Sequence, residues 1–173
     1  LLEIHGTSRT ESIISMSYPD YLDLRGLPSL AAVVATNEQP ASLSVGRDSE
    51  RIWTQLVSGN FFEALGVVPA LGRAFRPEED TAPMRDAVVV LGHGLWQRAF
   101  GGDSSVVGRS VVMDGVSYTV VGVAAQGFQF PEGAEIWSPL VLPAPGAASR
   151  DQRFLTGIGF LKENESIEHV RAE

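Results

Sequence analysis

Ala87-Val88-Val89-Val90-Leu91-Gly92-His93-Gly94-Leu95-Trp96-Gln97-Arg98-Ala99-Phe100-Gly101-Gly102 is the stretch from which the fold is read, with Arg109 to Val123 as its continuation. Its first five residues are an unbroken apolar run, too short to cross a membrane and rich in β-branched side chains. That pattern predicts a strand buried on both faces. Gly92-His93-Gly94 breaks the run, and Leu95 to Phe100 carries apolar residues at helical spacing. Gly101-Gly102 predicts a left-handed helix stop, a backbone conformation that costs glycine nothing. Two β-rich runs, Arg109 to Met113 and Val116 to Val123, then flank Asp114-Gly115. Both positions of such a turn need φ > 0, so Asp-Gly signals a hairpin. The stretch is expected to form strand, helix, hairpin.

Upstream, Leu1 to His5 reads as a strand and Gly6 to Ser15 as a polar loop. Ser17-Tyr18-Pro19-Asp20 is a helix start, with Ser as N-cap, an early Pro and an acid at N3. Tyr18, Leu22 and Leu24 are expected to face the core, and Gly26 to end the helix. Leu30 to Ala35 reads as a second strand. Ala41 to Val45 and Arg51 to Val57 read as a hairpin about Gly46-Arg47-Asp48. In its second arm Ile52, Thr54 and Leu56 point one way, and Arg51, Trp53 and Gln55 the other. Ser58-Gly59-Asn60 caps a short helix, Phe61 to Leu65, stopped by Gly66. Downstream, Gly127 to Pro131 is an aromatic loop. Glu135 to Leu142 is expected to be an edge strand because Pro139 interrupts it. Pro143 to Ser149 is a linker, Phe154 to Lys162 a last strand, and Ser166 the N-cap of a final helix.

These elements predict an α+β fold rather than a doubly wound sheet, since the helices are few and short. The two chain ends are expected to share one sheet, with the middle inserted. The chain opens in an apolar run without Met, shows no signal-peptide pattern, and ends at Glu173 after about two turns of helix. We therefore expect it to be a piece of a longer protein. Its 173 residues carry 44% apolar and 20% charged residues, an ordinary globular composition. A net charge of −8 argues against nucleic acid and anionic lipid as partners, because both need a basic face. No cysteine is present, which removes disulfides and thiolate chemistry. No window approaches the ~20 apolar residues of a membrane span.

Residue chemistry nominates no catalytic, cofactor-binding or metal-binding residue. His93 sits where a hydrolase elbow would hold its nucleophile, but Gly92-His93-Gly94 offers no serine. We read it as a helix-start residue. His5, His93 and His169 lack metal-ligand spacing. Glu78-Glu79-Asp80 reads as a Pro-initiated helical turn with acids at its positive end. Gly157-Ile158-Gly159 lies within a strand and lacks the third glycine of a dinucleotide fingerprint. Asn164-Glu165-Ser166 has the form of a glycosylation sequon and reads better as a turn and N-cap.

An ordered set of segments carries a resemblance. It comprises Ser17 to Asp23, Val57 to Phe62, Leu65-Gly66-Val67 with Pro69 to Arg73, Val90-Leu91, Trp96-Gln97-Arg98 and Phe100 to Asp103. Val107-Gly108-Arg109, Tyr118 to Val123, Leu161-Lys162 and Val170 to Glu173 complete it. Together they resemble the MacB-like periplasmic core domain of FtsX-type ABC transporter permeases, closest to the duplicated permeases of Acidobacteria. The resemblance implies a porter-like βαβ subdomain from residues 1–57 and 150–173, with an inserted small mixed lobe at 58–149. It implies a place outside the bacterial inner membrane, in the periplasm, between two membrane helices. It implies no catalytic residue and no cofactor. The partners implied are a cytoplasmic ABC ATPase, a second permease copy, and a periplasmic adaptor or outer-membrane conduit. The domain would transmit ATPase-driven motion for export, or for lipoprotein or envelope processes. The linker at 143–149 and the loop Phe128 to Pro131 are expected to carry partner contacts. Two other readings stay open: a hydrolase-like enzyme built on the Ala87 strand and His93, and a free periplasmic binding module.

Overall fold

The structure is a computed structural model that describes residues 2–4, 15–46, 48–80, 87–141 and 149–172. In chain order its strands are β1 (Leu2–Ile4), β2 (Met16–Ser17), β3 (Leu30–Val45), β4 (Asp48–Val57) and β5 (Leu71–Gly72). Then come β6 (Val88–Leu91), β7 (Ser110–Met113), β8 (Val116–Val123), β9 (Ile136–Pro139) and β10 (Arg153–Leu161). The α-helices are short: α1 (Tyr18–Arg25), α2 (Phe61–Ala64), α3 (His93–Phe100) and α4 (Ile167–Ala172). By its contacts the chain divides into two compact units, Leu1–Asn37 with Leu142–Glu173, and Glu38–Val141.

In the first unit β10 pairs antiparallel with β1 along one edge and with the Leu30–Thr36 part of β3 along the other. β1 and β3 therefore run parallel with β10 between them, and α1 lies in their connection. This is a split βαβ arrangement. Ser17 caps α1 as expected. Its hydroxyl accepts from the Asp20 N–H at 3.3 Å, and the Asp20 carboxylate accepts from the Ser17 N–H at 3.1 Å. The inward face of α1 differs from expectation. Tyr21 is buried and Leu22 is exposed, because the larger aromatic surface takes the core position and leaves the smaller Leu outside. Met16, Val34, Ala35, Leu155 and Ile158 of this unit are buried as well.

β3 is a single strand of 16 residues, not the two segments expected at 30–35 and 41–45. Its polar interval, Asn37-Glu38-Gln39, stays extended, and Pro40 fixes φ within the β region. That interval is where β3 passes from one unit to the other. Pro40 therefore marks an exposed position in a strand, not a break.

In the second unit the strand pairings close into a ring. β3 neighbours β4, β4 pairs parallel with β9, and β9 antiparallel with β6. β6 pairs parallel with β8, β8 antiparallel with β7, and β7 antiparallel with β3. Ala41, Leu43, Ile52, Val89, Leu91, Val111, Met113, Val120, Val123 and Ile136 fill the ring, and Leu95 of α3 joins them. A closed sheet this small is packed solid by its own side chains. β8 keeps its inward parity through a bulge: Val89 pairs with Val120, but Val90 pairs with Gly122. The extra residue lets both Val120 and Val123 face inward. The expected hairpin is present, with Asp114 at φ 50° and Gly115 at φ 81°. Asp114 also ties the turn to β3. Its carboxylate accepts from the Ser42 N–H at 2.8 Å, and its own N–H donates to the Ser42 carbonyl at 3.0 Å.

The expectation that β6 is buried on both faces holds. Val89 and Leu91 enter the ring, while Val88 and Val90 are buried on the other side. There Val90 lies opposite Trp137, whose ring packs against Phe62 and Phe128 at 5.8 and 5.3 Å. Phe62 also meets Phe61 at 5.4 Å and Phe75 at 5.5 Å. Burying each such Phe contributes roughly 1.5–3 kcal/mol. β9 corrects the edge-strand expectation. It pairs on both sides, with β4 and with β6. Pro139 is tolerated because β6 reaches only Ile136 and Trp137, so no partner on that side needs an N–H from residue 139.

Candidate functional site

A concave surface of the second unit lies at the start of α3. A cleft of about 220 Å³ is lined there by His93, Arg98, Phe128, Gln129 and Glu135, with Gly92 and Gly94 as its floor. The local sequence makes it. β6 ends at Leu91, and the Gly92 N–H donates to the Glu135 carbonyl at 2.7 Å. A Cβ at residue 92 would stand 2.7 Å from that same oxygen, so only glycine allows the approach. His93 then opens the helix, as the sequence predicts, with its ring edge-on to Trp96 at 5.4 Å. Gly101 at φ 63° ends the helix, its N–H donating to the Gln97 carbonyl at 3.1 Å.

Arg98 dominates the charge of the cleft. Its guanidinium donates to Glu135 at 2.7 Å and to Glu50 at 3.2 Å. The hydrogen bond to Glu135, then that to Glu50, raises the Arg98 pKa further, so this side chain stays a cation. The second Glu135 oxygen accepts from the Trp53 N–H at 3.1 Å. The trio cross-links β4, α3 and the approach to β9. Among the described residues lining the cleft no hydroxyl or thiol is present.

The acidic triplet is the expected Pro-initiated turn, a 3-10 turn over Pro77–Asp80. Its acids do more than face solvent. Glu79 is 5% exposed and grips Arg73 through two hydrogen bonds of 2.6 and 3.0 Å, while accepting from the Arg76 N–H at 2.8 Å. Burial alone would raise its pKa, but the Arg73 and Arg76 hydrogen bonds hold the carboxyl below its ordinary value. Asp80 accepts from the Gly59 N–H at 2.7 Å. The ties of Arg98 were invisible in the sequence because Arg98, Glu50 and Glu135 are far apart along the chain.

The remaining nominated positions are spread out. His169 lies on exposed α4, and His5 is outside the described residues. Among the described residues no group of three or more His, Asp or Glu is placed to hold a metal. Gly157 and Gly159 lie inside β10, as expected. Asn164 turns the chain at φ 70°, and the Ser166 hydroxyl accepts from the His169 N–H at 3.2 Å, the cap that was expected. In the aromatic loop Phe128 and Phe130 are half-buried rather than exposed. Phe130 stacks on Phe61 at 6.4 Å, Phe128 tilts onto Phe62 at 5.9 Å, and the Trp137 indole donates to the Phe130 carbonyl at 3.0 Å. Aromatic area of this size is worth more against the core than in water. Of the linker at 143–149, only Ser149 falls within the described residues. Trp53 is exposed, with the Arg51 guanidinium 5.8 Å from its ring, while Gln55 of the same expected face is buried.

No curated protein matches the chain. Among solved structures, the periplasmic region of MacB from Actinobacillus actinomycetemcomitans superimposes with a TM-score of 0.75 at 17% identity, covering 98% of this chain and 78% of that one. The extracellular domain of YknZ, a noncanonic ABC-type transporter from Gram-positive bacteria, does so with a TM-score of 0.70 at 15% identity, covering 98% of this chain and 86% of that one. At these identities the two structures speak for the fold, a mixed α/β arrangement with short helices. The model of the MacB-like periplasmic core domain family matches residues 2–173, and the chain therefore belongs to the MacB-like periplasmic core domain family.

Proposed function

We propose that this domain is the extracytoplasmic part of an FtsX-type ABC transporter permease and that it transmits motion without chemistry of its own. In this reading the split βαβ unit is the porter-like subdomain and the closed-ring unit is the inserted lobe. ATP binding by a cytoplasmic ATPase closes the permease dimer. The domain moves with the membrane helices on either side of it and passes that movement to a periplasmic adaptor, an outer-membrane conduit or an envelope partner. The observation that carries this reading is the family match, which runs through both units and not through one alone. The cross-links around Arg98 and Glu79 support it, because a transmitting body has to hold its shape under load.

The chain contains no cysteine, and Val68 is 80% exposed. A V68C substitution in an otherwise cysteine-free parent permease therefore gives a clean topological reporter. In intact cells of a Gram-negative host, a thiol reagent that crosses the outer but not the inner membrane should label V68C. Labelling only after cell lysis would overturn the reading.

A further inference from the structure

The ring-forming unit carries a second concavity whose chemistry differs from that of the cleft at His93. It is a groove of about 260 Å³ between the end of β3, the start of β4 and α3. Its apolar side is made by Leu43, Val45 and Ala99. Leu43 is fully buried, and Val45 and Ala99 are half-buried on the same core. Alternation along β4 places Asp48 and Glu50 on one side of the strand, and both line the groove. Pockets for drug-sized ligands usually hold about 300–1,000 Å³. This groove is smaller and suits a single long side chain.

The charge at the groove is acidic. Arg98 also lines it, but its guanidinium already donates to Glu50 at 3.2 Å and to Glu135 at 2.7 Å. Asp48 is exposed and forms no ion pair among the described residues. Three carboxylates, Asp48, Glu50 and Glu135, thus face one guanidinium, which leaves a net charge of −2 around it. Arg51 alternates to the other side of β4, where it lies 5.8 Å from the Trp53 ring.

We propose that this groove receives a lysine side chain from a partner protein. The aliphatic stem lies against Leu43, Val45 and Ala99, and the ammonium sits between the Asp48 and Glu50 carboxylates. An ammonium is a compact charge with three donors, which suits two separate carboxylates, whereas the flat guanidinium fork suits one carboxylate met in its plane. The net charge of −8 draws a basic partner toward the surface. A second copy of the chain is not the source. The sequence contains one lysine, Lys162, and its Nζ donates to the Pro28 carbonyl at 2.5 Å. The inference stands apart from the transport role proposed above.

The test titrates the 173-residue chain with the capped peptide acetyl-Ala-Lys-Ala-amide and follows backbone amide NMR shifts. Saturable shifts at Val45, Glu50 and Ala99 are expected. Replacing the peptide's lysine by norleucine should weaken binding about fivefold or more, the factor that one exposed ion pair supplies. Asp48→Asn, a surface change, should do the same to the lysine peptide, and Ala99→Leu should weaken it by filling the apolar side. Arg47→Ala removes the cation next to Asp48 in the sequence and should tighten binding. Glu63→Gln, an exposed acid of α2 outside the groove, should leave binding as in the parent. The proposal is overturned by the absence of saturable shifts at these residues, by equal binding of the norleucine peptide, or by weaker binding to Arg47→Ala. Equal losses in Glu63→Gln and Asp48→Asn would overturn it too, since net charge alone would then explain the binding. An arginine peptide that binds as tightly would overturn the choice of lysine, and tighter binding of spermidine would overturn a protein as its source.

Discussion

At the scale of single residues, the clearest commitment is Glu79. Its carboxyl titrates below the ordinary value of 4.5 because Arg73 and the Arg76 N–H favour the charged form, against the opposing effect of burial. The folded pKa is depressed, so the stabilisation is fully present above the unfolded value and is lost as pH falls through the folded one. Glu79→Gln should lower the unfolding free energy by about 1–3 kcal/mol near neutrality, because the Arg73 cation keeps only a neutral partner. Urea titrations at several pH values check this. The gap between parent and variant should stay constant down to about pH 4.5 and close below it. A gap that widens on acidification would contradict the assignment. None of this could be read from Arg76-Pro77-Glu78-Glu79-Asp80. The sequence reveals that the acids start a helical turn. It does not reveal which of them turns inward, since that depends on where Arg73 arrives.

Single elements were the most legible level, and the reason is local. The Asp114-Gly115 turn, the Ser17–Asp20 box, the Gly101 stop and the Ser166 cap each follow from bonds made within a few residues. β6 was legible because burial on both faces leaves no polar position in the run. Where partners decide, local reading failed. Pro139 suggested an edge, but β6 stops short of it. Phe128 and Phe130 read as exposed aromatics, but contacts with Phe61, Phe62 and Trp137 leave them half-buried. The capping box offers the quantitative test at this scale. Ser17→Ala removes the acceptor for the Asp20 N–H at a position with 0% exposure. It should cost about 1 kcal/mol, a fall of roughly 2–4 °C in melting temperature. Asp20 also receives Arg150 at 2.7 Å, so Asp20→Ala should cost more than Ser17→Ala in the same melt. Equal losses would show that the ion pair adds nothing.

For the whole molecule, the closed ring of six strands could not be read in advance. Its closure depends on β7 reaching β3 and on β9 inserting between β4 and β6, pairings as far apart along the chain as Thr54 and Ile136. The resemblance implied a porter-like part at residues 1–57 and 150–173 with an inserted lobe at 58–149; by contacts the units are Leu1–Asn37 with Leu142–Glu173, and Glu38–Val141. The account stands on the claim that this body moves as a passive transmitter when a cytoplasmic ATPase works. The direct measurement is made on the parent permease, reconstituted in lipid with its ATPase and carrying a single spin label at V68C in each copy of the dimer. The distance between the two labels should differ between the nucleotide-free and ATP-bound states and return after hydrolysis. An identical distance distribution in all of these states, in a preparation that hydrolyses ATP, would contradict it.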